Sequence, residues 1–259
     1  MGGLIRPIRR QGFCPACRKW DRGVQDLSAS EARELSPAAL TALSFLGVSA
    51  AGWAWTIWSS HSSEMAMGSS SLTTFATGWV MMMAAMMLPS ALPLVYEFAR
   101  RSERRRHWQA ATALLGVAYL SAWLGFGILC YFVLALAPVN LANQRWAGAL
   151  ALVLAGIYAL TPMKTASEAR CRELCSLHGP LPFNLLRSAL VIGARYALSC
   201  LGCSAGLMLA MVIIGMSNLA WTVIVAGFVL VYKLGPAPTL RRKWVLTTVL
   251  VTLGVFYMS

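Results

Sequence analysis

The chain has 259 residues, 58% hydrophobic and 12% charged, with a formal net charge of +13. A soluble domain carries about 25% charged residues, so this chain holds too little charge to cover a water-facing surface. Its basic residues sit in short segments flanking long apolar runs, which sets aside nucleic acid as a partner in favour of membrane topology and anionic lipid headgroups.

A helix needs about 20 apolar residues to cross about 30 Å of hydrocarbon. Runs of that kind predict an all-α, polytopic transmembrane helix bundle of about seven spans, at 37–58, 72–98, 109–137, 146–162, 190–215, 218–234 and 244–258. The second is rich in Met and carries Pro89 and Pro93. The fourth, sixth and seventh are short, and the turn between the fifth and sixth is tight enough for a re-entrant hairpin instead. Residues 1–36 form a basic amino-terminal segment and 37–259 the bundle.

Orientation follows from Lys and Arg. All of the 22 except Arg145 fall in the amino-terminal segment, the 2–3 link, the 4–5 link with the start of the fifth span, or the 6–7 link, where Lys233 is counted. Those segments lie on one side if the count is right, which puts the amino terminus in the cytoplasm and Ser259 outside. The implied location is a bacterial inner membrane. The first apolar run begins too late for a signal peptide, and Arg6 breaks the myristoylation pattern. No internal repeat is visible, and no acid or His lies mid-span, which argues against a proton-coupled transporter.

The second span holds Met81, Met82, Met83, Met86 and Met87. Met82 and Met86 share a helical face, as do Met83 and Met87. Thioethers are soft, uncharged donors suited to Cu(I) and cost little to bury; the bland alternative is Met as adaptable apolar filler. Pro89 and Pro93 each remove a backbone donor and free a carbonyl, which only protein or water can satisfy. In the fifth span, Cys200 and Cys203 share a face, with Met208 further along. Two thiolates with thioethers suit a soft metal, whereas Gly202, Ser204 and Gly206 also fit close helix packing.

Weaker candidates lie outside the spans. His61, Met65 and Met67 follow the first span, in a loop with a Met-x-Met pattern. Cys14 and Cys17 form a lone C-x-x-C, while Cys171, Cys175 and His178 read C-x3-C-x2-H in the 4–5 link. A zinc ribbon would need two such segments to meet. Cys130 makes the cysteine count seven, and the odd number disfavours a disulfide framework. Phosphate-loop and zinc-protease motifs are absent.

Four stretches within 79–234 resemble a bacterial family of predicted metal-binding integral membrane proteins, a domain of unknown function. They are Trp79 with the Met run, Pro89 and Pro93; Tyr158, Pro162, Lys164, Cys171 and Cys175; Gly193, Tyr196, Cys200, Gly202, Cys203, Leu207 and Met208; and Gly215, Met216, Asn218 and Trp221. The family pattern has a further Cys where this chain has Ser204, a Met where Thr222 stands, and a Glu where Tyr232 precedes Lys233. The resemblance implies metal binding.

Three functions compete. The first is copper handling, with Met82, Met83, Met86, Met87, Cys200, Cys203 and Met208 as intramembrane ligands and a copper-donor or acceptor protein as partner. The second is a membrane redox component; His61, His107 and His178 all fall in predicted loops, so an intrinsic haem is not expected. The third is a metal-free accessory or scaffold subunit.

Overall fold

The computed structural model describes residues 36–60, 71–136, 145–175, 177, 181–214, 219–235 and 240–258. Cys14, Cys17, His61, Met65, Met67, His178, Gly215, Met216 and Asn218, all singled out above, lie outside the described residues, as does the side chain of Trp221.

The described residues form eight helices and no strand: α1 Pro37–Ser60, α2 Leu72–Ser102, α3 Trp108–Ala135, α4 Arg145–Ala159, α5 Pro162–Cys175, α6 Leu185–Ile214, α7 Leu219–Leu234 and α8 Leu240–Met258. Of these, α1, α2, α3 and α6 are long and apolar enough to cross a membrane. A fifth such span arises if α4 and α5, bent by 69° at their break, count together. The apolar stretches of α7 and α8 are shorter. Seven apolar segments were expected, and each overlaps a helix; α5, expected as a link, is an additional one.

The starts of the helices follow local chemistry. Ser36 accepts a bond from the Ala39 amide at 3.2 Å and Pro37 takes the first helical position, where its missing N–H costs nothing. Ser71 caps α2 by accepting from the Thr74 amide at 3.3 Å. At the far end of α2, Glu97 pairs with Arg100 at 2.8 Å and Arg101 at 2.6 Å.

Helix α2 is the hub. Trp79, Met83, Met87, Leu94 and Phe98 are fully buried, and α1, α3, α5 and α7 pack around it. A helix apolar on every side belongs inside a bundle. Small residues let the neighbours come close. A Cβ on Gly52 of α1 would stand 2.7 Å from the Met81 carbonyl of α2, and one on Gly193 of α6 would stand 2.6 Å from the Leu115 carbonyl of α3. A second apolar cluster joins α4, α6 and α8 through Leu152, Ala155, Ala210, Leu246 and Leu250.

The prolines of α2 shape its polar contacts. Pro89 cannot donate to the Ala85 carbonyl four residues back. Ser49 of α1 supplies the missing donor, its Oγ bonding the Ala85 oxygen at 2.8 Å. One turn on, Tyr196 of α6 donates to the Ser90 carbonyl at 3.0 Å, and Tyr119 of α3 reaches the Met87 carbonyl at 3.4 Å. Buried hydroxyls from three helices thus hold the proline-bearing turn of α2.

Candidate metal centre

Cys200 is fully buried halfway along α6. Side chains from three other helices meet at or beside its sulfur. Tyr119 Oη of α3 lies 3.1 Å from Cys200 Sγ. Lys233, in the last turn of α7, donates from Nζ to the same sulfur at 2.6 Å. The same Nζ lies 3.7 Å from Met87 Sδ and 3.5 Å from Ser90 Oγ, both on α2. One thiol and one thioether therefore face a single point, and a cationic amine stands on it.

A second group of sulfurs adjoins the first. Cys203 is one turn beyond Cys200, its thiol lying 3.2 Å from the Cys200 carbonyl and within hydrogen-bonding reach of Cys171 on α5. Ser204, where the family pattern seen in the sequence has Cys, turns its hydroxyl back on the Cys200 carbonyl at 2.6 Å. Cys171 and Cys175 are both buried. Cys171, Cys175, Cys203, Glu168 and Lys233 line one cavity of about 50 Å³. A water-sized group needs only about 10–15 Å³ by the same measure, so the cavity admits several.

The reason α5 reaches this site lies in its stripe. Lys164, Glu168, Cys171 and Cys175 are spaced four, three and four residues apart, and all four are buried. That spacing keeps them on one helical face. Lys164 and Glu168 form an ion pair along it, which meets the charge-pairing demand of burial. Gly202 of α6 lets α5 approach, since a Cβ there would collide with the Ser167 side chain. Tyr158 of α4 then ties α6 in place by donating to the Gly202 carbonyl at 2.5 Å.

The predicted site residues separate into groups. Cys200 and Met87 converge, and Cys203 comes together with Cys171 and Cys175. Met82, Met83 and Met86 are buried in the main apolar cluster. Met83 precedes Met87 by one turn, about 6 Å along the axis. Met208 is buried in the same cluster but lies eight residues beyond Cys200, about 12 Å along α6. Lys233, Tyr119 and Ser90 are additions that sequence reasoning missed. Charge counting assigns Lys233 to the 6–7 link; the signal available is a lone Lys closing an otherwise apolar helix. Among the described residues no three of His, Cys, Asp and Glu form a chelating group. A metal here would rest on mixed thiol and thioether donors, a set that favours Cu(I) over harder ions.

A family model described as PpoB2, copper chaperone, matches residues 76–257. The chain belongs to this copper chaperone family. The match takes in α2 to α8 and with them every side chain of the site just described. The match agrees with the expectation of copper handling, and a copper-handling role is supported. No curated protein and no solved structure matches the chain.

Proposed function

We propose that this copper chaperone family member is a multi-pass protein of a bacterial inner membrane that carries Cu(I) on buried sulfurs and passes it to an acceptor protein. The observation that carries the reading is the convergence of Cys200 Sγ and Met87 Sδ on one atom, Lys233 Nζ. Both donors are soft, both are buried, and neither brings a hard oxygen anion.

Seven spans fit the eight helices when α4 and α5 form one broken span. The distribution of Lys and Arg supports a cytoplasmic amino-terminal segment of residues 1–36. In that orientation α6 runs outward from its cytoplasmic start, so Cys203, with Cys171 of α5 in reach, lies one turn to the outer side of Cys200. Copper held at the pair has neighbouring sulfurs onto which it can move, and stepwise exchange between such donors avoids a bare ion in apolar surroundings. Met87 and Cys200 are the core ligands, Cys203, Cys171 and Cys175 the onward donors, and Met82, Met83, Met86 and Met208 the packing around them.

Metal analysis of protein purified in mild detergent tests the reading. After Cu(I) loading under reducing conditions, near-stoichiometric copper is expected in the wild type. Its loss is expected in the Cys200→Ala/Met87→Leu double variant. Copper retained in that variant moves the site elsewhere, and copper absent from the wild type refutes the reading.

A further inference from the structure

We propose that Lys233 is a tethered competitor for the copper site, an internal cation that Cu(I) displaces on binding and that re-enters to expel it. The inference rests on the copper reading above and goes beyond it by assigning how the site lets go of its cargo.

The geometry points to direct exclusion. Metal–thiolate bonds are about 2.3 Å long, as for zinc, and Lys233 Nζ already stands 2.6 Å from Cys200 Sγ. An ion bonded to Cys200 would occupy the space of the ammonium. Met87 Sδ, at 3.7 Å from Nζ, needs only to move inward, which an unbranched, flexible side chain does readily. Two positive charges cannot share that position in surroundings this apolar.

Charge makes the exchange balanced. Metal ligation uses the thiolate. Binding therefore breaks the S–H bond of Cys200 and the N–H···S hydrogen bond and forms a Cu–S bond; the thiol proton leaves to water, so one positive charge enters as one departs and no oxidation state changes. A divalent ion would leave an extra charge uncompensated, so the swap is matched to a monovalent one.

The displaced ammonium has somewhere to go. Lys233 lines the 50 Å³ cavity that Glu168 also lines, so the long side chain has room to withdraw from the sulfur along it. Lys233 is half-buried rather than sealed in, and its flexible stem lets one residue serve both positions. A chaperone must release what it binds, and a cation held at the site on a short leash has a high effective concentration there.

Cu(I) affinity, read by competition with a chromophoric Cu(I) chelator in detergent, tests this on the full-length protein. Lys233→Met is expected to bind Cu(I) at least about tenfold more tightly, which is about 1.4 kcal/mol, and to lose it to the chelator at least about tenfold more slowly. Unchanged or weaker binding by a folded Lys233→Met protein overturns the competitor role while leaving the copper site standing. Absence of Cu(I) binding in the wild type overturns both. A second measurement needs no variant: acylation of Lys233 by a small amine-directed reagent, read by mass spectrometry, should rise severalfold on Cu(I) loading. Labelling that stays level or falls while Cu(I) is bound refutes the displacement.

Discussion

The contact between Lys233 and Cys200 can be tested without metal, by a double-mutant cycle in a Cu(I) chelator. Cys200→Ala removes a fully buried sulfur and takes from Lys233 Nζ its shortest contact, 2.6 Å. A hydrogen bond to a charged group contributes about 1.5–3 kcal/mol, and the lost sulfur adds about 1 kcal/mol of transfer and cavity cost. Stranding one member of a buried charged pair costs about 3–5 kcal/mol; Lys233 is only half-buried and can turn toward the cavity, so the lower bound applies. The Cys200→Ala cost is therefore about 3 kcal/mol. Lys233→Met keeps most of the stem volume and removes the charge, at about 2 kcal/mol. The double variant removes both polar partners at once and should cost about 3 kcal/mol rather than the sum, a coupling of about 2 kcal/mol. Reversible unfolding by detergent titration, followed by helical circular dichroism, reads all four corners. Thermal midpoints should fall by about 2–4 °C per kcal/mol for a chain of this size. Single-variant effects that add to within about 0.5 kcal/mol would show that the two side chains do not interact and would remove the basis of the site.

Other substitutions separate the site from its scaffold. Met87→Leu should weaken Cu(I) binding at least about tenfold and Met83→Leu leave it unchanged, because it is the Met87 thioether that lies 3.7 Å from Lys233 Nζ, with Met83 one turn away; the same chelator competition reads both. Ser49→Ala should cost about 1–3 kcal/mol by leaving the Ala85 carbonyl, already deprived of its donor by Pro89, without a replacement. Gly52→Ala should cost about 1–3 kcal/mol, since the new Cβ meets the α2 backbone at Met81 and Ala85, and thermal unfolding in detergent measures both losses.

The sequence revealed the helices and half of the site, for reasons particular residues make plain. Long apolar runs marked α1, α2, α3 and α6 to within a few residues, because a span is defined by what it lacks. Pro89 and Pro93 marked the turn where α2 needs outside donors, but not that Ser49 would be one of them, since that contact joins residues 36 positions apart. The charges of Lys164, Glu168, Arg170, Arg172 and Glu173 make α5 read as a link in the sequence. Its buried face was nevertheless written in the spacing of Lys164, Glu168, Cys171 and Cys175. A search for apolar stripes passes over it, because the residues turned inward are an ion pair and two thiols. The same bias separates Cys171 and Cys175 from Cys203, although the structure sets all three around one cavity, one turn from Cys200.

Lys233 shows why counting charges is not the same as placing them. Its contribution to the positive-inside count is small, because Arg241, Arg242 and Lys243 follow it. A lysine at the end of an apolar helix usually extends toward water. Here α7 has 16 residues, about 24 Å of helix, against about 30 Å of hydrocarbon. A helix that short, packed beside the longer α2 and α6, ends before they do. Its terminal lysine is thus still among its neighbours, within reach of Cys200, and the polar groups there (a thiol, a thioether, two hydroxyls) can hold an ammonium without an acidic partner. Lengthening α7 by one turn before Lys233 would carry the amine about 5 Å outward. On this argument the brevity of α7 is what places a cation at the sulfur, and so what gives the site a means of releasing copper.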